Sequence, residues 1–283
     1  MEILAFSDLH GNRELIDLFV NSVIAKRLNP DIFVCAGDIG DSIIVELLKK
    51  MLQFRKPIFY VLGNHELLLD NDPKEEKKAE RLANVFHLKD KPQFFEDFAL
   101  VGQDAWTDFA DDRKIDKLRY EDLLHKFRRI STDESRKDAI LVTHHAPSGV
   151  FDKGISYPDH SWEDKDGMHG GSYSIRKIVE EFKPAIHIFA HCHSDGGKWR
   201  LFGDTMFANV CHLERETRDG RIGINGSFMI IDTDKRICIP HHLSNLTKKV
   251  CTCGAVHYLN YNRCFNCYEN GRGIIDFSEI KKQ

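Results

Sequence analysis

Side chains that bind divalent metal ions recur directly after apolar runs along this chain. In chain order they are Asp8, His10, Asp38, Asn64, His65, His144, His145, His191 and His193. Carboxylate oxygen, imidazole nitrogen and amide oxygen together form a mixed ligand set that suits Mn²⁺, Fe or Zn²⁺. The sequence therefore predicts a metal site assembled from widely separated segments.

Two metal ions held side by side by these residues would cleave a phosphate ester. A carboxylate can bridge two ions, and Asp38 is the natural bridge in this set. Ions about 3.5–4 Å apart clamp the attacking and leaving oxygens of an in-line displacement. They also lower the pKa of bound water, so that hydroxide is available near neutral pH. The pattern favours hydrolysis of a phosphate ester by metal-activated hydroxide.

The elements that must position these residues alternate between strands and helices in the first part of the chain. Apolar runs predict strands at 2–6, 31–36 and 58–62, and helical spacing predicts helices at 14–28 and about 41–54. This order predicts right-handed crossovers and a buried sheet. Because the carboxyl ends of strands in an open α/β sheet share one edge, the candidate ligands can converge there.

The rest of the chain continues in mixed order. Further strands are predicted at 94–101, 139–143, 185–190, 199–201, 206–210 and 227–231, the last three antiparallel, and helices at 73–82, 112–130 and 172–182. Residues 148–171 show no period and are rich in Gly, Asp, His and aromatic residues. A loop this long in a compact domain is often functional, as a lid or as a wall of the substrate site.

Five ordered blocks of residues resemble those of the calcineurin-like metallophosphoesterases. The blocks are Asp8-x-His10, Gly37-Asp38-x-x-Asp41, Gly63-Asn64-His65-Glu66, Thr143-His144 and His191-x-His193, and the resemblance spans roughly residues 1–232. One Asp-x-His block would be weak, whereas five blocks in this order are specific. The resemblance implies an α/β fold in four layers, a β-sandwich of two mixed sheets flanked by helices.

The resemblance also implies a role for each residue. One metal ion would be held by Asp8, His10, Asp38 and His193. The other would be held by Asp38, Asn64, His144 and His191. Asn64 and His65 would contact the substrate, and His65 would protonate the leaving oxygen or stabilise charge in the transition state. His145 and Cys192 are expected to pack beside the ligands without binding metal.

One position departs from the family pattern. Ala190 stands where the family usually has glycine before the last His-x-His block. Glycine tolerates positive φ, so a glycine there would permit an unusual backbone angle. Because alanine keeps both His191 and His193 in place, we expect little functional cost.

Four cysteines near the end of the sequence have the spacing of a zinc ribbon. They are Cys251, Cys253, Cys264 and Cys267, in a CxC and a CxxC pair. Four thiolates form a closed tetrahedral site, and the ion would supply most of the folding free energy of so small a segment. We therefore expect a metallophosphoesterase domain at residues 1–239 and a zinc-ribbon tail at 240–283.

Composition limits the partners of this chain. With 283 residues, 42% hydrophobic and 30% charged, and a net charge of -4, it is typical of a globular protein without a strong pull toward polyanions. The segment from Lys235 to Gln283 is basic, with eight Lys or Arg against three Asp or Glu. This basic charge favours a nucleic-acid partner for the tail. The alternatives are a protein partner and an ordinary solvated surface without a partner.

The compartment follows from the cysteines and the apolar runs. No run approaches the length of a membrane span, so we expect no membrane association. No secretory signal is visible in the first residues, and clustered cysteines without such a signal indicate metal ligands in a reducing compartment. We therefore expect a cytoplasmic protein.

These observations predict a dinuclear metal-dependent phosphoesterase, with a phosphodiesterase acting on a nucleotide or nucleic acid favoured. Its cofactors would be two divalent ions (Mn, Fe or Zn) and one structural Zn. The alternatives are a phosphomonoesterase or phosphoprotein phosphatase, a non-enzymatic metal-binding scaffold, and a nucleic-acid-binding module. The complete ligand set with His65 disfavours the scaffold. The Arg-Gly context of protein serine/threonine phosphatases is missing after Asp41 and before Asn64, which disfavours a phosphoprotein substrate.

Replacing Cys264 and Cys267 together with serine tests the tail. We expect zinc content to fall by about one ion per chain, because a tetrahedral site does not survive the loss of two thiolates. Elemental analysis of the purified protein measures the change. The control replaces Cys35 and Cys238, which lie outside this cysteine cluster, with serine. Its zinc content should equal that of the wild type. Equal zinc content in both variants would contradict the predicted ribbon.

Overall fold

A computed structural model of the chain describes residues 1–68, 73–105, 112–131, 138–152, 171–211, 213, 226–243, 249–250 and 256–257. The strands are β1 (Glu2–Phe6), β2 (Ile32–Cys35), β3 (Ile58–Tyr60), β4 (Val85–His87), β5 (Gln93–Phe95), β6 (Phe98–Gln103), β7 (Asp138–Thr143), β8 (Ile186–Phe189), β9 (Trp199–Phe202), β10 (Thr205–Asn209), β11 (Ser227–Asp232), β12 (Ile237–His242), β13 (Lys249–Val250) and β14 (Val256–His257). The helices are α1 (Arg13–Ala25), α2 (Asp41–Met51), α3 (Asn64–Leu68), α4 (Pro73–Ala79), α5 (Asp112–Ser131) and α6 (Tyr173–Phe182), with 3₁₀ turns at Leu52–Phe54 and His193–Asp195.

Two six-stranded sheets form the centre of the fold. The first has the order β12-β11-β1-β2-β3-β4, and the second has the order β5-β6-β7-β8-β10-β9. In the first sheet β1 to β4 run parallel, while β11 is antiparallel to both β1 and β12. In the second sheet β6, β7, β8 and β10 run parallel, with antiparallel β5 and β9 at the edges. Both sheets are mixed, as predicted.

Side-chain alternation along β1 explains the layers. Ile3 and Ala5 point into a buried cluster shared with β7, β8 and β10 of the second sheet. Leu4 and Phe6 point the other way and pack with residues of α1 and α2. A third cluster joins the outer face of the second sheet to α5 and α6. The order helix, sheet, sheet, helix confirms the predicted four-layer architecture.

The helix ends that border the site are capped by their own sequence. Asn12 precedes α1, and its side chain accepts a hydrogen bond of 3.2 Å from the backbone N–H of Glu14. Ser172 precedes α6, and its hydroxyl accepts a bond of 3.3 Å from the backbone N–H of Ile175. Such caps satisfy donors that the first turn leaves unpaired. The caps at Asn12 and Ser172 thus fix the residues at which α1 and α6 begin.

Several predicted elements differ from the structure. The short β4 was missed because its three residues show no alternation that distinguishes a strand. The strand β12 was missed because Pro240 falls inside it, but Pro240 is tolerated because β12 is an edge strand. The prediction of antiparallel pairing was incomplete, since β10 runs parallel to β8. The domain boundary between residues 239 and 240 falls within β12 and stays a prediction.

None of the helices in the described ranges is long and apolar enough to cross a membrane. The predicted zinc ligands Cys251, Cys253, Cys264 and Cys267 lie outside those ranges, as does most of the predicted functional loop, residues 153–170. The two short strands on either side of Cys251 and Cys253 in the sequence, β13 and β14, pair antiparallel, with Val250 opposite Val256. The structural zinc therefore stays a prediction.

Gly102 on β6 marks a point where the two sheets approach closely. A Cβ atom at this position would overlap the Cβ of Leu88 and would lie 2.8 Å from Cγ1 of Val61. Both neighbours follow strands of the first sheet, so neither can move without shifting its strand. The missing side chain at Gly102 lets the sheets come together beside the ends of β3 and β4.

Gly102→Ala should lower the free energy of unfolding by about 1–3 kcal/mol, because overpacking a buried contact forces the backbone to shift. Urea denaturation followed by circular dichroism measures this change. Gly203→Asn is the control, since Gly203 lies in a turn at φ 60° and a Cβ atom there would meet nothing within 4 Å, and asparagine tolerates that conformation. Identical denaturation midpoints for Gly102→Ala and wild type would contradict the packing argument.

Candidate metal centre

The predicted ligands lie on loops that leave the carboxyl ends of β1, β2, β3, β7 and β8. Four of these residues have left-handed backbone angles, with φ of 57° at Asp8, 49° at His10, 52° at Asp38 and 66° at His191. Residues other than glycine adopt this region at a cost in free energy, and such strain is concentrated at functional sites. The unusual angle near the last block falls on His191, so glycine is not needed at Ala190.

Backbone hydrogen bonds hold the first two loops together. The N–H of Asp8 donates to the carbonyl of Gly37 at 3.0 Å, and the N–H of His10 donates to the carbonyl of Asp38 at 3.0 Å. Gly11 continues the pattern by donating to Ile39 at 2.8 Å. The carboxylates of Asp8 and Asp38 are therefore presented from two adjacent, mutually bonded turns.

Asp38 lies at the centre of the cluster. Its Oδ2 is 3.3 Å from Nε2 of His144, 3.8 Å from Nδ1 of His10 and 4.0 Å from Nε2 of His65. Nε2 of His144 is also 3.0 Å from Oδ1 of Asn64. Ligand atoms of Asp38 fall into two separate groups that could hold a metal ion, one with His10 and His65 and one with Asp8 and His144.

Asp8 contacts the ligands on the other side of the cluster, His193 and His10. Its Oδ1 lies 3.0 Å from Nε2 of His193 and 3.6 Å from Nε2 of His10. Its Oδ2 accepts a hydrogen bond from the hydroxyl of Ser7. Asp8, His193 and Cys211 form a further group of ligand atoms within 4.8 Å of one another.

His191 completes the set of predicted ligands. Its ring centre lies 5.1 Å from that of His144 and 4.5 Å from that of His145. Burial lowers the pKa of His191 to about 3, so its imidazole stays neutral and keeps a lone pair for a metal ion. All seven predicted ligands and His65 thus come together at one edge of the sandwich.

The buried polar atoms at this edge fit divalent cations. Neither ring nitrogen of His10 has a hydrogen-bond partner among the described residues, although the side chain is only 6% exposed. Buried polar groups are normally hydrogen-bonded, so nitrogens left this way indicate a missing ligand. Burial lowers the pKa of His10 to about 3, which leaves the neutral form that binds metal.

The carboxylates are also in the form that binds metal. Burial, the largest single effect, raises the pKa of Asp8, but His193, His144 and His10 together more than offset it, and the net pKa is well below its usual range. For Asp38, burial and the charge of Asp8 raise the pKa, but His144 and His10 together outweigh them, and the net pKa is lowered. Burial lowers the pKa of His144, but Asp38, Asp8 and the carbonyl of Ala36 together outweigh it and raise the pKa to about 9. An ion binding to His144 would therefore displace a proton.

Glu66 holds the loops that carry Asp38 and Asn64 through backbone hydrogen bonds. Its buried carboxylate accepts hydrogen bonds from the backbone N–H groups of Asp38 at 3.1 Å, Gly40 at 2.5 Å and Gly63 at 2.6 Å. Burial and then the charge of Asp38 raise the pKa of Glu66 to about 7. A side chain at Gly63 would overlap Oδ1 of Asp38, so the two loops approach as closely as glycine allows.

Asp104 and Thr143 each make two supporting contacts behind the loops that carry Asn64 and His144. Oδ1 of Asp104 accepts a bond of 2.7 Å from the N–H of Leu62, just before Asn64, and lies 2.9 Å from Nε2 of His87. Nε2 of His187 lies 2.9 Å from the hydroxyl of Thr143, which donates to the carbonyl of His145 at 2.6 Å. These contacts fix the loops that carry Asn64 and His144.

The sequence analysis missed three residues that the structure places at the site. Glu66 was seen only as part of a motif, and Asp104 and Cys211 were given no role. For Cys211 a signal was present, because it follows β10 as the other ligands follow their strands. The predicted packing position of Cys192 agrees with its full burial beside the ligands.

Comparisons with known proteins bear on this arrangement. A family model described as calcineurin-like phosphoesterase matches residues 1–195. Two relatives from Caenorhabditis elegans are similar in sequence. UPF0046 protein K07C11.7 is 26% identical over 202 residues, covering 65% of this chain and 63% of the relative. UPF0046 protein C25E10.12 is 27% identical over 200 residues, covering 66% of each protein.

The aligned region thus spans slightly less than two thirds of the length of these two relatives. Among solved structures, TT1561 of Thermus thermophilus superposes with a TM-score of 0.60 at 13% identity, covering 86% of this chain and 98% of TT1561. At this level of identity the similarity is one of fold.

Glu66→Gln tests the support of Asp38. The amide group replaces one acceptor oxygen by a donor, so at least one of the three backbone N–H groups loses its partner. We expect a loss of about 1–3 kcal/mol in the free energy of unfolding and about 10–100-fold weaker Mn²⁺ binding. Urea denaturation and calorimetric titration measure the two effects.

The matched control is Glu180→Gln, since Glu180 is an exposed residue of α6 whose side chain is 62% exposed. This control should change neither quantity measurably. Wild-type Mn²⁺ affinity in Glu66→Gln would show that the carboxylate does not position Asp38.

Proposed function

Because this chain belongs to the calcineurin-like phosphoesterase family, we propose that it is a dinuclear metal-dependent phosphodiesterase. The observation that carries the proposal is the central position of Asp38, whose carboxylate belongs to both groups of ligand atoms around it. We take the division between the ions from the family resemblance: one ion would be held by Asp8, His10, Asp38 and His193, and the other by Asp38, Asn64, His144 and His191. The two groups of ligand atoms divide differently, with Asp8 beside His144 and His65 beside His10, and they support only the shared position of Asp38. When bound, the two ions would activate water and neutralise charge on the phosphate.

The proposed role of His65 rests on its exposure. The side chain of His65 is 30% exposed, whereas that of His10 is 6% exposed and that of His144 is fully buried. The backbone N–H of His65 donates to Oδ1 of Asp38 at 2.9 Å, which fixes the residue at the edge of the cluster. His65 can therefore reach a substrate that approaches from solvent and donate a proton to the leaving oxygen.

The charges around the cluster favour a diester over a monoester. The largest electrostatic effects on the pKa of Asp8, His10 and Asp38 come from histidines and carboxylates of the cluster itself. Arg and Lys clamps are the usual means of stabilising a transferring phosphoryl group. Within the described part of the chain, no Arg or Lys is among the leading causes of these three pKa shifts, although Arg119 does help to lower the pKa of the neighbouring His145. A diester carries one negative charge, so it needs less such compensation than a dianionic monoester.

Within the diesters we propose a nucleotide or a nucleic acid as substrate. The basic segment from Lys235 to Gln283 supports this choice, since clustered Lys and Arg attract the phosphate backbone. We further propose that the tail holds one structural zinc ion and contributes to binding of a nucleic-acid or protein partner. The buried free thiols of Cys35, Cys192, Cys211 and Cys238 suit the reducing, cytoplasmic location that we propose.

His65→Ala tests the proposed proton donor with two diesters that differ in the leaving group. For a dinucleotide, whose alkoxide leaving group needs a proton, we expect kcat with Mn²⁺ to fall about 10²–10⁴-fold. For bis-p-nitrophenyl phosphate the fall should be much smaller, because p-nitrophenolate leaves without protonation. Metal content should stay at the wild-type level in this variant.

The control is His125→Ala, the same substitution at an exposed position of α5, which should keep both rates. Equal losses for both diesters would mean that His65 stabilises charge without donating a proton. Wild-type rates of His65→Ala with both diesters would contradict any role of His65 in catalysis. Turnover of p-nitrophenyl phosphate alone would replace the diesterase proposal by a monoesterase.

A further inference from the structure

Cys211 is held beside the cluster by its backbone. Its N–H donates to Oδ1 of Asn209 at 3.0 Å, and the amide of Asn209 donates to the carbonyl of Cys192 at 3.0 Å, in the turn between the last two histidines. Two residues later, the N–H of Leu213 donates to the carbonyl of Ser7 at 3.1 Å. Cys211 is thereby fixed between the loop that carries Asp8 and the loop that carries His193.

The thiol is within reach of an ion at the Asp8 side of the cluster. Sγ of Cys211, a carboxylate oxygen of Asp8 and a ring nitrogen of His193 all lie within 4.8 Å of one another. Ligand atoms held by one tetrahedral ion at bond lengths of about 2.0–2.3 Å lie roughly 3.3–3.8 Å apart. The three atoms must therefore draw slightly closer together for a single ion to contact all of them.

A second observation points to an ion at the same place. His10 is nine-tenths buried, both of its ring nitrogens lack a hydrogen-bond partner among the described residues, and its Nε2 lies 3.6 Å from Asp8. Cys211 is 1% exposed, so bulk water does not compete for the space between these groups. The three-atom group with Cys211 offers one oxygen, one nitrogen and one sulfur, and His10 adds a ring nitrogen beside the same carboxylate of Asp8.

We propose that Cys211 supplies a thiolate ligand to the ion held by Asp8, His10 and His193. This inference rests on the proposed function, since it deepens the description of one of the two ion sites. On binding, the sulfur–hydrogen bond gives way to a sulfur–metal bond and the proton passes to solvent, as a coordinating thiol is deprotonated. No oxidation or reduction is involved.

A sulfur ligand makes the two halves of the centre chemically different. The site of Asn64, His144 and His191 offers only nitrogen and oxygen besides Asp38. The site with Cys211 favours softer ions such as Zn²⁺ over Mg²⁺ or Mn²⁺, because thiolates select for softer metals. The alternative role for Cys211 is a hydrogen bond from the thiol to Asp8, which orients the carboxylate without contacting the ion.

Cobalt spectroscopy separates ligation from hydrogen bonding. The full chain is prepared with serine at Cys251, Cys253, Cys264 and Cys267, so that the tail supplies no sulfur, and it is then loaded with Co²⁺. Visible d–d bands report cobalt binding, and a near-ultraviolet charge-transfer band reports a cobalt–thiolate bond. We expect both bands in this chain. In the same background, Cys211→Ser should lose the charge-transfer band and keep the visible bands.

The matched control is Cys192→Ser in the same background, because Cys192 is equally buried between His191 and His193 but belongs to no group of ligand atoms among the residues that the structure describes. It should keep the charge-transfer band. The inference would be overturned if the chain that still has Cys211 showed the visible bands but no charge-transfer band. That result does not depend on whether Cys211→Ser folds. A charge-transfer band lost in Cys192→Ser and kept in Cys211→Ser would overturn it as well.

Failure of the proposed function gives a different result. A folded chain that shows no visible cobalt bands and hydrolyses no diester would contradict the metal centre itself, and the inference about Cys211 with it. Diester hydrolysis with cobalt bound, but without the charge-transfer band, would leave the proposed function standing and remove only the thiolate ligand.

Discussion

The burial of two carboxylates, Asp8 and Asp38, in one small space is the constraint on which the site depends. Both are almost inaccessible to water, and each carries a negative charge because neighbouring histidines lower its pKa against the effect of burial. Buried charges must be paired or must coordinate metal. Several ligand residues have left-handed backbone angles, and the His10 side chain has no hydrogen-bond partner among the described residues. These features indicate that the histidines alone do not compensate the two negative charges. A pair of divalent cations would satisfy these groups together.

The sandwich holds this strained arrangement in place. The parallel strands β1, β2 and β3 end side by side, and their loops are joined by backbone hydrogen bonds and by the carboxylate of Glu66. The second sheet brings His144 and His191 against them because β7 and β8 end at the same edge. Close contact is possible only where glycine removes a side chain, as at Gly63 beside Asp38. Packing between the sheets therefore supplies the rigidity that the charged cluster needs.

The sequence predicted the candidate ligands because their position after strands depends on local pattern. The strand at 2–6 was predicted with correct bounds, and the α/β sandwich followed from the resemblance. Glu66 and Asp104 could not be assigned roles, since their partners are backbone N–H groups of distant loops that only the folded chain brings near. The strand β12 was missed because its pairing with β11 overrides the local effect of Pro240. The position of Cys211 after a strand was a signal in the sequence, but that the strand ends at the same edge as β8 depends on their parallel pairing, which was not predicted.

Electron paramagnetic resonance of the Mn²⁺-loaded protein tests the central claim, a pair of ions bridged by Asp38. We expect two exchange-coupled ions per chain, seen as a multiline spectrum, since a shared carboxylate holds two ions within about 3.5–4 Å. Asp38→Asn should abolish the coupling, because an amide is a poor bridge. A six-line spectrum of isolated Mn²⁺ in the fully loaded wild-type protein would contradict the claim.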